Sequence, residues 1–125
     1  MRRLHCGLII NPDGVKNQVE GNVIQSLSRA LKEEVRFDET RITSVDWDSY
    51  PIWKFSEVPD IEVVLVNRPD LPAVGVGEPS TVTTAAAVAN AIFDATGARL
   101  RQLPFTPERV KAGLSQVPWG GVRRD

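Results

Sequence analysis

The sequence predicts an α+β fold: a mixed sheet carrying two main helices and a short C-terminal helix. Three observations predict it. Between residues 16 and 35, apolar residues recur every three or four positions, the period of a helix face. Short apolar runs at 4–10 and 61–66 read as buried strands, the second nearly continuous enough to be covered on both faces. Two later segments carry helix start and stop residues at the right offsets. The order strand, helix, strands, helix, helix suits a layered arrangement.

Residues 4–10 form the first predicted strand, and Asn11-Pro12-Asp13-Gly14 the turn after it. The first helix covers about 16–35, with Val19, Val23, Ile24, Leu27, Leu31 and Val35 as its stripe. Gly21 inside it costs about 1 kcal/mol against alanine, which fits close approach of a ligand or backbone, or plain packing. Residues 41–47 are a predicted strand with Thr43, Val45 and Trp47 on one face. Residues 48–59 read as an aromatic, turn-rich loop that lies on something. The strand at 61–66 ends at Arg68-Pro69-Asp70-Leu71-Pro72, and the glycine loop Gly75-Val76-Gly77-Glu78-Pro79 follows. A second helix over about 83–96 takes Thr81 or Thr83 as cap and Gly97 as its left-handed stop. Thr106-Pro107-Glu108 opens a third helix that ends near Gly113. Residues 1–116 read as one α+β domain and 117–125 as a tail.

Composition narrows the function. A chain of 125 residues, 42% hydrophobic and 25% charged, suits one ordinary globular domain. Its 15 basic and 16 acidic residues leave no excess charge for gripping a nucleic-acid backbone. Charge is uneven: the balance is -5 up to residue 98 and +4 from Arg99 on, read as a solvated tail or a basic docking patch. No apolar run approaches a membrane span, and the start makes a poor signal peptide. With one cysteine, Cys6, and one histidine, His5, no internal disulfide, zinc site or iron–sulfur cluster is expected. A cytoplasmic location is the default.

Two clusters stand out. Glu78 sits between Gly77 and Pro79 just before a helix. A carboxylate there serves as a general base if burial raises its pKa, whereas the helix start favours its charged form. The plain alternative is an acid that complements the helix dipole. The loop fits neither a dinucleotide nor a P-loop fingerprint. At the start of the first helix, Asn17-Gln18-Val19-Glu20-Gly21 combines free N–H groups, suited to an anion, with an amide that both donates and accepts. An ordinary solvated first turn reads the same way. His5 and Cys6, adjacent on a strand, point to opposite faces. Trp47, Tyr50, Trp53 and Phe55 read as core or interface.

The ordered segments CGLIINPDGVKNQVEGNVIQSLSRAL, ITSVDWDSYPI and PDLPAVGVGEPSTVTTAAAVANAIFDATGARLRQLPFTPERV resemble the C-terminal end of the large subunit of molybdenum hydroxylases. This is the xanthine dehydrogenase and aldehyde oxidase family, in its isoquinoline 1-oxidoreductase beta-subunit flavour. The resemblance covers about residues 4–111 and implies the C-terminal part of a molybdopterin-binding domain. It implies a molybdopterin-type molybdenum cofactor in the complete enzyme, which hydroxylates an aldehyde or an N-heterocycle. It implies that Glu78, in GVGE, is the base beside the molybdenum and that Gln18, in NQVEG, contacts the pterin. Gly21, Gly75 and Gly77 complete the expected cofactor-binding set, and no residue of this chain is expected to ligate the metal. Asn22 stands where the family often has a small residue, and Ser26 where it often has glycine.

The implied partners are the rest of the large subunit and an iron–sulfur subunit, and the isolated chain is expected to be inactive. Exposed apolar surface, with self-association or an obligate partner, is expected with it. For the assembled enzyme the periplasm stays open as a location. The rival readings are a non-catalytic α+β interaction module docking through Trp47, Tyr50 and Trp53, and a relic fragment of the family.

Overall fold

Asn11 opens the first helix because its side-chain carbonyl accepts the backbone N–H of Gly14 at 2.9 Å. In the computed structural model, which describes residues 5–117, α1 spans Pro12–Leu31. The segment expected as a turn is thus the cap and first turn of α1. Proline's fixed φ is already helical, and its missing N–H is no loss at that position. The apolar stripe extends to Val35, but Lys32 closes the helix by donating its N–H to the Ser28 carbonyl. Val35 is exposed.

α2 spans Pro79–Thr96. It also begins earlier than expected, with proline in its first turn. Its cap is Glu78, not Thr81 or Thr83, and the Glu78 side chain makes no capping bond. Instead the Thr81 hydroxyl and N–H both donate to the Glu78 carbonyl, at 2.7 and 3.0 Å. Gly97 ends the helix at φ 73°, in the left-handed region, and its N–H reaches the Phe93 carbonyl at 2.7 Å. α3 spans Pro107–Leu114 behind Thr106, whose hydroxyl oxygen accepts the Arg109 N–H, as the motif predicts.

α1 and α2 pack on each other. The buried residues of the pair are small: Ser26, Ser28 and Ala30 from α1 and Thr84 from α2. Buried hydroxyls need partners. Thr84 donates to the Ser80 carbonyl at 2.8 Å, and Ser28 accepts the Trp53 N–H at 3.0 Å. That second bond ties the aromatic loop to α1. A single 3-10 turn, Phe55–Glu57, is held there by Lys32, whose ammonium lies 2.5 Å from the Glu57 carboxylate. α3 returns to α1 through the Phe105 N–H, which donates to the Ala30 carbonyl at 2.7 Å.

The expected mixed sheet does not form among the described residues, where the only β pairing is an isolated bridge between Phe37 and Ile42. Residues 6–9 do lie beside 67–74. Val74 donates to the Cys6 carbonyl, Arg68 to Gly7, and Leu8 to the Leu71 carbonyl. No ladder results, because Pro69 and Pro72 lack N–H groups and Leu71 turns back on Arg68. The run at 41–47 pairs only with 36–38, through the Phe37–Ile42 bridge and the bonds from the Thr43 N–H to Arg36 and from the Asp38 N–H to Arg41. The run at 61–66 finds no partner strand among the described residues, and Val45 and Val64 are exposed. A strand needs a neighbour to satisfy its backbone, whatever its own propensity.

The buried apolar set among the described residues is Cys6, Ala30, Ala98 and Phe105. A compact chain of this mass would expose about 6,600 Å². This one exposes 9879 Å². Exposed Trp47, Val64 and Val82 are part of that surface. The predicted tail lies outside the described residues beyond Val117.

Candidate active site

Gln18, Gly21 and Asn22 share one side of α1, since residues three and four apart lie above one another on a helix. Asn22 reaches across to the second cluster: its side-chain amide donates to the Gly77 carbonyl, 55 residues along the chain. Gly77 leads directly into Glu78 at the start of α2. The two segments singled out in the sequence therefore meet at one place.

Three of the meeting residues are glycines with room in front of them. A methyl group added at Gly21, Gly75 or Gly77 would meet nothing within 4 Å among the described residues beyond its own chain neighbours and, at Gly21, the backbone of its own helix. Gln18 and Glu78 are exposed beside them. The first N–H groups of α2 are free of helical partners, as at any helix start. Pro79 has none, Thr81 is bonded to Glu78, and those of Glu78 and Ser80 find no acceptor among the described residues. The result is an open polar ledge with backbone donors, one amide and one carboxylate.

The aromatic loop lies elsewhere. Tyr50 donates its hydroxyl to the Glu33 carboxylate at 2.9 Å. That bond, with some burial and the Glu33 charge, pushes the phenol above its ordinary range. Trp47 is exposed, and Trp53 is half-buried on an apolar groove of 540 Å³ with Leu31, Ile92, Phe105, Val110 and Leu114. This groove lies by the C-terminal ends of α1 and α2 and includes none of the expected site residues. Cys6 is buried and unpaired, and the His5 ring accepts the Gly7 N–H through Nδ1 at 3.3 Å. No cluster of three metal-ligating side chains occurs among the described residues. No helix there is long and apolar enough to cross a membrane. The sequence marks Asn22 only as a departure from the family pattern and does not reveal its contact with Gly77. Its spacing carries no signal, because a long-range bond to a backbone carbonyl leaves no pattern in sequence.

A helix start and a glycine loop together present free backbone donors to open space here. Residues 4–59 match the family described as the molybdopterin cofactor-binding domain. The chain is 54% identical over 109 residues to a nicotinate dehydrogenase polypeptide of Pseudomonas putida, covering 87% of this chain and 9% of that protein. It is 39% identical over 101 residues to the beta chain of isoquinoline 1-oxidoreductase from Brevundimonas diminuta, covering 81% of this chain and 13% of that one. Its fold superposes on quinoline 2-oxidoreductase from Pseudomonas putida 86 with a TM-score of 0.80 and 29% identity, over 91% of this chain and 16% of that one. The chain belongs with the large subunits of the xanthine dehydrogenase family, of whose length it spans a small part. A 109-residue match to a 125-residue chain must include residues 17–109, hence both Gln18 and the glycine loop.

The cofactor of the full enzymes is of the molybdopterin type. The residues present fit that group. A pterin edge alternates donors and acceptors, as the Gln18 amide and the free backbone N–H groups do. Side-chain-free Gly21, Gly75 and Gly77 leave it space.

Proposed function

We propose that this chain supplies one wall of the active centre of a molybdenum hydroxylase that acts on an N-heterocycle or an aldehyde. The observation that carries this reading is the Asn22–Gly77 hydrogen bond, which ties α1, at the residue after NQVEG, to the GVGE loop. Gln18 holds the pterin edge through its amide, and Gly21, Gly75 and Gly77 let it lie close. Glu78 is the base, taking the proton onto a carboxylate oxygen during hydroxylation. When bound, the cofactor supplies the oxygen-transfer and redox chemistry that these side chains lack.

On this chain Glu78 is exposed. A base working near neutral pH needs a drier setting, which lifts a carboxyl pKa. The rest of the large subunit provides that setting, and an iron–sulfur subunit carries the electrons away. The large exposed surface supports such an obligate partner. Accordingly the chain by itself has no hydroxylase activity.

The test is Glu78→Gln in the assembled enzyme. Turnover should fall by about 10²-fold or more, in line with general-base catalysis, with molybdenum per chain unchanged. Turnover within twofold of the parent would remove Glu78 from the chemistry. A second reading, an interaction module, draws on the exposed Trp47. It predicts a stable partner complex that contains no molybdenum.

A further inference from the structure

Residues 75–77 have little to hold them. Val74 is tied to the Cys6 carbonyl at 2.9 Å, and the Glu78 carbonyl is tied to Thr81. Between those points Gly75 and Gly77 have no side chain, and glycine leaves backbone angles freest of all residues. Among the described residues, the one hydrogen bond that reaches this stretch from elsewhere in the fold is that from the Asn22 amide to the Gly77 carbonyl.

That bond acts on a rigid unit. In a trans peptide the C=O and the following N–H are coplanar and point in opposite directions. Drawing the Gly77 carbonyl toward α1 therefore turns the Glu78 N–H away from Asn22, toward the side where no acceptor occurs among the described residues. The same peptide leads into the Glu78 Cα, so its orientation also sets the direction from which the carboxylate side chain leaves the backbone. We infer that Asn22 is a positioning residue: it fixes the Gly77–Glu78 peptide, and with it both the free Glu78 N–H and the departure of the Glu78 side chain. Asn22 touches neither substrate nor cofactor in this role. The link to catalysis rests on the proposed function above, whereas the link to loop order does not.

The experiment compares Asn22→Ala, Asn22→Asp and Asn22→Gln by backbone relaxation of the full chain, since the N–H groups of 75–78 find no acceptor among the described residues and carry no exchange protection. Losing the bond that anchors the stretch should lower the order parameters of residues 75–78 into the flexible range, below about 0.6, in the Ala variant. Alanine is the better helix former, so the order of α1 and the unfolding midpoint should not suffer. The Asp variant, which keeps the shape but loses the donor, should loosen the loop at least as much, and the Gln variant should restore its order. In the assembled enzyme the Ala and Asp variants should lower kcat about fivefold, the equivalent of one net hydrogen bond, at unchanged KM and molybdenum content, and Gln should recover it. Order parameters of 75–78 in the Ala variant equal to those of the parent would overturn the inference. Should the Ala variant also lower the unfolding midpoint, the Asp–Gln pair decides: equal loop order in both would overturn it. If Glu78→Gln keeps its activity while Asn22→Ala still loosens the loop, the proposed function falls and the positioning role stands.

Discussion

A methyl group added at Gly7 would stand 2.0 Å from the carbonyl oxygen of Pro72. Gly7 also lies at φ 71°, where side chains are strained even in open space. The atom in the way is backbone, and Arg68 and Leu8 bond across the same contact. Nothing nearby can give way without breaking the pairing of 6–9 with 67–74. Gly7→Ala should destabilise the chain by about 2–4 kcal/mol, the sum of backbone strain and overpacking. Denaturant unfolding of the variant beside the parent measures this. A loss under about 0.5 kcal/mol, the scale of an ordinary surface substitution, would show that the contact relaxes freely.

Gly21 makes the opposite case. Beyond its chain neighbours and the backbone of its own helix, nothing among the described residues lies within 4 Å of the position its methyl group would take. In a helix interior, alanine gains about 1 kcal/mol over glycine. Gly21→Ala should therefore leave the chain equally or more stable. In the assembled enzyme the same methyl group should intrude on the pterin, lowering molybdenum per chain roughly fivefold through overpacking. Metal analysis and thermal unfolding, run on one preparation, separate the two effects. Full molybdenum content would mean that the space is not the cofactor's.

Local signals are legible in the sequence where local chemistry decides. The Thr106-Pro107-Glu108 start and the Gly97 stop are both realised, because a cap and a left-handed glycine depend only on near neighbours. α1 and α2 each start at a proline that lies ahead of the apolar periodicity. Asn11-Pro12 and Glu78-Pro79 resemble turns when read alone, and proline's place in a first helical turn shows only once the helix is there. The strands are not recoverable this way. The run at 61–66 has the composition of a buried strand, yet Val64 is exposed and no ladder forms among the described residues. Composition reports a preference for burial but not which neighbour supplies it. In the candidate site, Gln18 and Glu78 are singled out by motif resemblance alone, and the Asn22–Gly77 contact is not, because its partner is a distant backbone atom.

Arg109 joins three parts of the fold. One guanidinium nitrogen donates to the Pro104 carbonyl at 3.0 Å, and another to the Glu34 carboxylate at 2.5 Å. The pair is about one-third exposed, so solvent screens it. Arg109→Ala should destabilise by about 1 kcal/mol, mostly from the lost hydrogen bonds. Arg109→Lys should recover less than half of that, because a single ammonium cannot span both acceptors with the planar fork. Raising the salt concentration should narrow the gap between parent and variants. A lysine variant as stable as the parent would show that charge alone matters at this position.

Part of the acid response should come from two exposed turns, beside that of Glu57, Asp70 and Glu108, whose carboxyls are also held below their usual range. Asp38 accepts the backbone N–H and hydroxyl of Thr40, and the N–H of Arg41. Asp46 accepts the hydroxyl and N–H of Ser49. The Thr40 bonds in the first case and the Ser49 bonds in the second hold each carboxyl below its usual range. A depressed pKa means that the folded turn binds fewer protons than the unfolded chain, so stability rises with pH through that window. The contribution is complete above the ordinary aspartate value of about 3.9 and is lost as pH falls through the folded values. Both turns should stay ordered at pH 6 and loosen below about pH 4, visible as faster amide exchange at Thr40, Arg41 and Ser49 after correction for intrinsic rates. Asp38→Asn should make the first turn insensitive to pH and leave the response of the second unchanged. Loss of the response in both turns together would mean that acid acts on the whole fold.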